Sequence, residues 1–361
     1  MFVSEARQAF DNILTKADEH KIPLWAHLDL TFRCNLNCQH CYCQALSGRL
    51  WNGNPELSLA EIKPLLDELA ETGSLYLTLS GGEVLLRDDF FDIAGYAKKK
   101  NFCLNIFTNG TLIDEDAAQR LAGLVPLGIE MSIYGTTAQV HDAVTQVAGS
   151  YDKVLEAVRL LKKHKLTVVL KSVLMRANFH QARDFPEFVK KTGADEYRYG
   201  IEISPKNDGS RSPQACQIDE GRQYEFLSGR KGLEEDSPEY LENPLDKPLC
   251  GTGSIACYIS PYGDVYPCIQ LLIPMGNIRQ KNFRDIWYAP SPLRSQLNML
   301  KQYKDMLPCR SCQYIGFCKK CIGLAYLEKG DLTACYDTLR NLSRIDYELS
   351  TASASKHKCE L

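Results

Sequence analysis

Short apolar runs alternate with amphipathic segments over the first 203 residues. Runs typical of buried strands occupy Leu24–Leu30, Leu75–Ser80, Phe102–Phe107, Leu127–Ile133, Leu166–Val173 and Glu196–Ile203. Apolar residues at helical spacing predict helices over residues 4–19, Ser58–Glu71, Asp89–Lys100, Glu115–Ala122, Tyr151–His164 and Phe179–Lys191. Because each strand is followed by a crossover, the pattern predicts an α/β fold with parallel strands that close into a partial (β/α)6 TIM-like barrel. We expect the chemistry at the carboxyl ends of these strands.

The pattern changes after residue 203. Ser204–Pro248 is rich in turn-forming and charged residues, which predicts a bridge between domains. Tyr258–Pro267 predicts a β-hairpin that would bring Cys257 beside Cys268. We therefore expect an N-terminal helical segment (1–23), a barrel (24–203), a bridge (204–247), a small cysteine-rich domain with a hairpin and short helices (248–340), and a helix end with a polar, mobile tail (341–361).

Bulk composition narrows the class of protein. The formal net charge of 361 residues is −3 and the pI is about 6.2, which predicts no nucleic-acid partner and no anionic membrane partner. Neither a membrane-length apolar run nor a signal peptide is visible, so we expect a cytoplasmic protein. Fifteen cysteines in that compartment favour metal or cluster ligation over disulfides.

Two motifs fall at the same expected rim of the barrel. Cys34, Cys38 and Cys41 follow the first strand, and three thiolates can hold a [4Fe–4S] cluster with one iron left open to a small molecule. A zinc knuckle or free thiols are the alternatives. Ser80-Gly81-Gly82-Glu83 ends the second strand, where glycines would let a ligand approach the backbone and Glu83 would accept hydrogen bonds from an ammonium group.

These motifs resemble those of the radical S-adenosylmethionine (SAM) enzymes over residues 24–203. The resemblance implies a TIM-like barrel that reductively cleaves SAM to a 5′-deoxyadenosyl radical at the cluster of Cys34, Cys38 and Cys41. It also implies that Ser80, Gly81, Gly82, Glu83, Asn109 and Ser132 contact SAM. Thr145 stands where the family often has an arginine for the SAM carboxylate, and Lys171 is the expected substitute or else an ordinary exposed lysine.

Eight further cysteines lie between residues 250 and 335. They are Cys250, Cys257, Cys268, Cys309, Cys312, Cys318, Cys321 and Cys335, enough for two more [4Fe–4S] clusters or two zinc sites. Residues 248–340 resemble the SPASM domain, which carries auxiliary clusters in radical SAM maturases. The resemblance implies one cluster on Cys250, Cys257, Cys268 and Cys321, and another on Cys309, Cys312, Cys318 and Cys335.

Local features separate branches of this family. Ile269 replaces the aspartate base of anaerobic sulfatase maturases, whereas Pro23-Leu24-Trp25 and Thr31-Phe32-Arg33 resemble the pyrroloquinoline quinone and ribosomal-peptide maturase branch. The resemblance implies a precursor peptide or protein substrate that receives a carbon–carbon or thioether crosslink, and a reductant such as flavodoxin or ferredoxin. About twenty residues precede the first strand, so we expect that a leader peptide is recognised either by a separate protein or directly by the barrel and the bridge.

Two other functions fit the same residues. One is a radical SAM enzyme of small-molecule cofactor maturation, of the haem or mycofactocin kind. The other is a zinc-binding scaffold without turnover. In the sixth strand, Arg198, Gly200 and Glu202 lie on one face and Tyr197, Tyr199 and Ile201 on the other, and either face could line the lumen.

Overall fold

The computed structural model describes residues 2–43, 55–230 and 243–357. Its strands are β1 (Trp25–Thr31), β2 (Tyr76–Gly81), β3 (Cys103–Thr108), β4 (Gly128–Ser132), β5 (Val168–Val173), β6 (Glu196–Gly200), β7 (Ala256–Ile259), β8 (Asp264–Tyr266) and β9 (Gly276–Asn277). Its α-helices are α1 (Phe2–His20), α2 (Leu59–Thr72), α3 (Phe90–Lys99), α4 (Glu115–Leu124), α5 (Ala138–Thr145), α6 (Ser150–Lys163), α7 (Phe185–Thr192), α8 (Glu220–Arg230), α9 (Phe283–Tyr288), α10 (Pro292–Met299), α11 (Ile322–Lys329) and α12 (Asp337–His357).

One sheet runs through the molecule in the order β6-β5-β4-β3-β2-β1-β7-β8-β9. The six strands from β1 to β6 pair in parallel with their neighbours in sequence, so the predicted α/β partial barrel is confirmed. The sixth strand ends at Gly200 rather than at the predicted Ile203, because Gly200 pairs with Val173, the last residue of β5. The predicted helix from Phe179 is also divided: a 3₁₀ turn covers Phe179–Gln181, and α7 starts afresh with a proline in its first turn.

The two faces of the sheet differ in chemistry. Leu28 of β1 and Leu79 of β2 are fully buried in the main core with the helices. Their neighbours Asp29 and Ser80 point to the opposite face, which lines the barrel lumen, because strand side chains alternate. In β6 the ring of Tyr197 stacks on Phe185 of α7, at 5.2 Å between centroids. The face of β6 that carries Arg198 therefore lines the lumen.

The C-terminal strands extend the barrel sheet. β7 pairs in parallel with β1, and β8 and β9 follow in antiparallel order, so the predicted hairpin is present. The segment predicted to be a bridge contains α8, whose Leu227 packs against Ile345 and Leu349 of α12. α12 itself continues to His357, so the predicted polar tail is helical as far as that residue. The division into five segments stays a prediction.

Helix α2 illustrates how local sequence sets an element boundary. The Glu61 carboxylate accepts hydrogen bonds from the backbone N–H and the hydroxyl of Ser58, each at 2.8 Å, as expected for a capping box. Gly73 ends the helix with φ +98°, a conformation that glycine adopts without a steric penalty. None of the described helices is long and apolar enough to cross a membrane.

Candidate active site

The cysteine loop leaves the carboxyl end of β1. Cys34, Cys38 and Cys41 are partly exposed, and their thiols are close enough for the charge of each to affect another. Burial and these neighbouring thiols raise the pKa of Cys38 to about 12. Because a cluster binds thiolates, its binding must release protons from this loop.

The end of α5 holds the loop in place. The Asn37 N–H donates to the carbonyl of Thr145 at 3.0 Å, and the Gln39 N–H donates to that of Val144 at 3.1 Å. The Thr145 side chain is fully buried, with its hydroxyl 2.7 Å from that of Ser150. The backbone at position 145 therefore supports the loop, whereas its side chain is directed into α6.

Positions 81 and 82 require glycine, because the end of β2 lies in close contact with the backbone at the end of β1. The Gly82 N–H donates to Thr31 O at 2.7 Å, and the Glu83 N–H donates to Arg33 O at 2.9 Å. A Cβ atom on Gly81 would lie 2.1 Å from Thr31 O, and one on Gly82 would lie 2.3 Å from Arg33 O. The sequence predicts that a ligand approaches the backbone at these glycines. The structure shows that the space beside them is already occupied by the chain segment that leads into the cysteine loop.

Glu83 and Asn109 connect this junction to the first cysteine. The buried Glu83 carboxylate accepts hydrogen bonds from the Thr108 hydroxyl at 2.7 Å and the Asn109 N–H at 2.6 Å, while burial raises its pKa. The Asn109 amide donates to Asn35 at 2.8 Å and lies 3.7 Å from the sulfur of Cys34. Glu83, Asn109 and Cys34 are thus brought together, and they are joined by Thr108 and Asn35, for which the sequence analysis predicted no role.

Lys171 and Ser132 lie side by side in the lumen on β5 and β4. The Lys171 ammonium forms an ion pair with Glu130, and it lies 3.8 Å from the ring centroid of Phe107. Lys171 therefore already has an anionic and an aromatic partner. Ser80 also faces the lumen, in register with Asp29 of β1.

A different lysine, Lys206, lies beside the cysteine loop. It belongs to the segment predicted to be a bridge, and the next residue, Asn207, donates its N–H to the carbonyl of Tyr42 at 3.0 Å. The charge of Lys206 opposes the rise that burial causes in the pKa of the Cys41 thiol. Sequence reasoning missed this residue, because only the tertiary fold brings it to the loop.

A hydrogen-bonded group in the lumen links the barrel to the C-terminal strands. The buried Asp29 carboxylate lies 3.0 Å from His27 Nε2 and accepts a hydrogen bond from the Tyr258 hydroxyl at 2.8 Å. Tyr258 belongs to β7. The alternation of polar His27 and Asp29 with buried leucines in β1 is a usable sequence signal for these lumen residues.

The C-terminal thiols form two groups. Burial raises the pKa values of Cys309, Cys318 and Cys335, and the charges of neighbouring thiols, that of Cys312 included, add to this effect. We call these four cysteines the Cys309 group, and their assignment to one auxiliary cluster stays a prediction.

The other group, the Cys250 group, contains Cys250, Cys268 and Cys321. The thiols of Cys250 and Cys268 both contribute to the raised pKa of Cys321, after burial. Cys257 is not with them: it pairs in register with Ala26, and its side chain is buried in the main core. The hairpin therefore does not bring Cys257 beside Cys268, because the residues of β7 alternate between core and lumen.

The donor chemistry of all three groups suits iron–sulfur clusters, since thiolate sulfur is the ligand that these clusters take in proteins. Within the ranges given above, no group of three His, Cys, Asp or Glu side chains is arranged to hold a single metal ion.

Two family models match the chain. The Radical SAM superfamily model matches residues 28–189, and the model described as an iron-sulfur cluster-binding domain, SPASM, matches residues 250–313. A mycofactocin maturase from Mycobacterium ulcerans is 30% identical over an alignment of 318 residues that covers 82% of this chain and 82% of the relative. The chain belongs to the radical SAM superfamily, with a SPASM domain. This radical SAM enzyme uses SAM and iron–sulfur clusters as its cofactors.

Other relatives differ in their named products. The enzyme is 28% identical to an AdoMet-dependent heme synthase from Methanosarcina barkeri over 331 residues, 84% of this chain and 92% of the relative. It is 30% identical to a PqqA peptide cyclase from Rhodopseudomonas palustris over 266 residues, 70% of this chain and 68% of the relative. The relatives therefore agree on the radical SAM core and differ in substrate.

Solved structures support the fold. Streptococcus suis SuiB bound to precursor peptide SuiA superposes with a TM-score of 0.64 at 19% identity, covering 93% of this chain and 80% of that one. The structure of native anSMEcpe with bound AdoMet gives a TM-score of 0.66 at 17% identity, covering 91% of this chain and 97% of that one. At these identities the likeness concerns the fold alone.

Proposed function

We propose that this enzyme is a peptide maturase. It abstracts a hydrogen atom from a ribosomally made peptide or protein and forms a carbon–carbon or thioether crosslink. Cys34, Cys38 and Cys41 would hold the cluster at which SAM binds, and SAM would supply a 5′-deoxyadenosyl radical there. The peptide-modifying relatives support this substrate class, since a PqqA peptide cyclase is among the more similar proteins.

The observation that carries the proposal is the open edge of the barrel sheet at β6. Among the described strands, β6 has a neighbour on one side only, and four of its five residues are exposed. An exposed strand edge presents backbone N–H and C=O groups with which an extended peptide can pair. Such an edge favours a polypeptide substrate over a compact small-molecule substrate.

The lumen beside this edge carries charge for contacts with substrate side chains. Arg198 of β6 lies 3.1 Å from Glu130 and donates to both carboxylate oxygens of Glu196, at 2.6 and 2.7 Å, and 49% of its side chain remains accessible. The Lys171 ammonium neutralises the same Glu130 carboxylate. A substrate that enters past β6 would therefore meet Arg198 first.

We assign the contacts with SAM to the residues around the cysteine loop. Glu83 is placed to accept hydrogen bonds from the SAM ammonium group, and Asn109 positions both Glu83 and Cys34. Lys206 replaces the family's arginine as the cation for the SAM carboxylate, because Thr145 is buried and Lys171 is paired with Glu130. Ser80, Ser132 and the backbone of Gly81 and Gly82 complete the pocket.

We propose two protein partners as well. A one-electron donor such as flavodoxin or ferredoxin reduces the cluster, and a separate protein presents the leader of the precursor peptide. Cys250, Cys268 and Cys321 form one auxiliary site, and Cys309, Cys312, Cys318 and Cys335 form the other, with Cys257 in the core.

A second candidate is an enzyme of haem-type cofactor maturation. The heme synthase of Methanosarcina barkeri supports it, since the similarity covers 92% of that relative. In this case Arg198 would bind a carboxylate of a tetrapyrrole rather than a peptide side chain.

The test is anaerobic turnover of the reconstituted enzyme with SAM and a reductant. Short peptides encoded beside its gene are supplied as substrates, and a tetrapyrrole with carboxylate side chains is supplied in a parallel reaction. We expect 5′-deoxyadenosine together with loss of two hydrogen atoms from a peptide, measured by mass spectrometry. Modification of the tetrapyrrole with every peptide unchanged would reject the peptide proposal in favour of the second candidate. The variant with Cys34, Cys38 and Cys41 all changed to Ala controls for cleavage at another site.

A further inference from the structure

A histidine backed by a buried carboxylate faces the barrel lumen. His27 Nε2 lies 3.0 Å from Oδ1 of Asp29, and Oδ2 of Asp29 accepts a hydrogen bond from the Tyr258 hydroxyl at 2.8 Å. Only 2% of the Asp29 side chain is exposed, whereas 17% of the His27 side chain is exposed. Tyr258 is as deeply buried as Asp29. The histidine is therefore the member of this group that a substrate can reach.

These contacts fix which ring nitrogen of His27 carries the hydrogen. An ionised carboxylate only accepts hydrogen bonds, so the Nε2–H of His27 donates to Asp29 and Nδ1 keeps a free lone pair. Within the described part of the chain, the structure gives Nδ1 no hydrogen-bond partner. A carboxylate at the opposite nitrogen also stabilises the positive charge that the ring gains on protonation. His27 is thus arranged to accept a proton from a molecule in the lumen.

His27 is connected through side chains to the open edge of the sheet. Its ring lies edge-on to Phe107, at 5.9 Å between centroids. The Lys171 ammonium lies 3.8 Å from the centroid of the same Phe107 ring, and both Lys171 and Arg198 pair with Glu130. A substrate side chain that enters past Arg198 at β6 therefore reaches His27 along one continuous set of lumen residues.

The proposed crosslink requires a proton acceptor. Joining two substrate atoms by one new bond removes one hydrogen from each of them. The first hydrogen leaves as an atom and converts the 5′-deoxyadenosyl radical to 5′-deoxyadenosine. The resulting carbon radical and the bond from the second atom to its hydrogen together hold three electrons, and the new bond uses two of them. The second hydrogen therefore leaves as a proton, and one electron leaves separately.

We propose that His27 accepts this proton and that Asp29 is the residue that positions its ring. The inference rests on the proposed function as a peptide maturase. As the new bond forms, the bond from the second substrate atom to its hydrogen breaks and the proton passes to Nδ1 of His27. The remaining electron passes to an oxidised iron–sulfur cluster of the C-terminal domain. Tyr258 holds the Asp29 carboxylate from the side opposite to His27.

The experiment measures how closely SAM cleavage is coupled to crosslinking in the full-length, cluster-loaded enzyme. Crosslinked peptide and 5′-deoxyadenosine are quantified in the same anaerobic reaction with a uniformly deuterated peptide. Deuterium in 5′-deoxyadenosine reports hydrogen abstraction from the peptide independently of the crosslink. His27→Gln keeps an N–H donor for Asp29 and removes the basic nitrogen. His180→Gln makes the same change at an exposed position and is the matched control.

We expect His27→Gln to bind the peptide with a dissociation constant near the wild-type value and to transfer deuterium to 5′-deoxyadenosine. The ratio of crosslinked peptide to 5′-deoxyadenosine should fall at least about tenfold, because general-base catalysis is lost. His180→Gln should keep the wild-type ratio. Imidazole in solution should restore the ratio in His27→Ala, whereas pyrrole, which has a similar shape and no basic nitrogen, should not. An unchanged ratio in His27→Gln, or rescue by pyrrole, would indicate a structural role and overturn the proposal.

Asp29→Asn gives an answer even if His27→Gln fails to bind the peptide. The new amide would accept from Tyr258 through its oxygen and donate to Nε2 of His27 through its nitrogen. The ring hydrogen would then move to Nδ1 and the acceptor would be lost. The ratio should therefore fall here as well, and an unchanged ratio would overturn this proposal alone. A wild-type enzyme that modifies no peptide would overturn it together with the proposed function.

Discussion

Replacement of Gly82 by alanine tests whether the junction of β1 and β2 supports the cysteine loop. A Cβ atom on Gly82 would lie 2.3 Å from Arg33 O and 2.7 Å from Phe32 O. Both are backbone atoms, so no side-chain rotation can relieve the contact. The two segments must separate by about 0.7 Å to reach 3.0 Å, the shortest distance that real Cβ atoms show.

That separation breaks the hydrogen bonds of the junction. The bonds from the Gly82 N–H to Thr31 O and from the Glu83 N–H to Arg33 O would lengthen beyond the normal range. Each bond contributes about 1 kcal/mol, and a buried group left without a partner costs about 1–3 kcal/mol. We expect Gly82→Ala to lower the free energy of unfolding by about 2–4 kcal/mol.

The assay is urea unfolding of the metal-free protein followed by far-ultraviolet circular dichroism. Gly95→Ala is the matched control, because Gly95 lies within α3 and its added Cβ would meet nothing within 4 Å. Alanine is favoured over glycine in a helix by about 1 kcal/mol, so this control should be slightly more stable than the wild type. A Gly82→Ala variant as stable as the wild type would refute the role of the close contact.

Three further predictions concern single side chains. Lys206→Met should raise the dissociation constant of SAM on the cluster-loaded enzyme at least tenfold, and it should raise that of decarboxylated SAM much less. Lys281→Met, which changes an exposed lysine, is the control. Equal effects on the two compounds would exclude a contact between Lys206 and the SAM carboxylate. Cys257→Ala should leave the iron content unchanged, whereas Cys268→Ala should lower it; iron loss in Cys257→Ala would return this cysteine to the ligand set. Burial lowers the pKa of His141 to about 4, so protonation favours the unfolded chain and stability should fall between pH 6.5 and 4, by up to about 3 kcal/mol. His141→Asn should weaken this pH dependence in urea unfolding, and an unchanged dependence would count against the buried neutral histidine.

Much of the barrel could be predicted because its signals are local. Apolar runs of strand length and amphipathic helices can be recognised within short windows, and the six parallel strands were found with boundaries shifted by a few residues. The same holds for the cysteine loop and for Gly81 to Glu83, since each motif is continuous in sequence and follows a strand. Sequence alone therefore determined the fold class and the radical SAM core with its SPASM domain.

Tertiary structure decided which side chains meet. Cys257 has the spacing of a ligand, but its position in β7 relative to Ala26 of β1 turns it into the core. Lys206 and Tyr258 reach the cysteine loop and the lumen from parts of the chain more than 150 residues away. Side-chain direction in a strand depends on register, and the effect of a charge depends on its surroundings, and neither quantity is encoded in a short window of sequence.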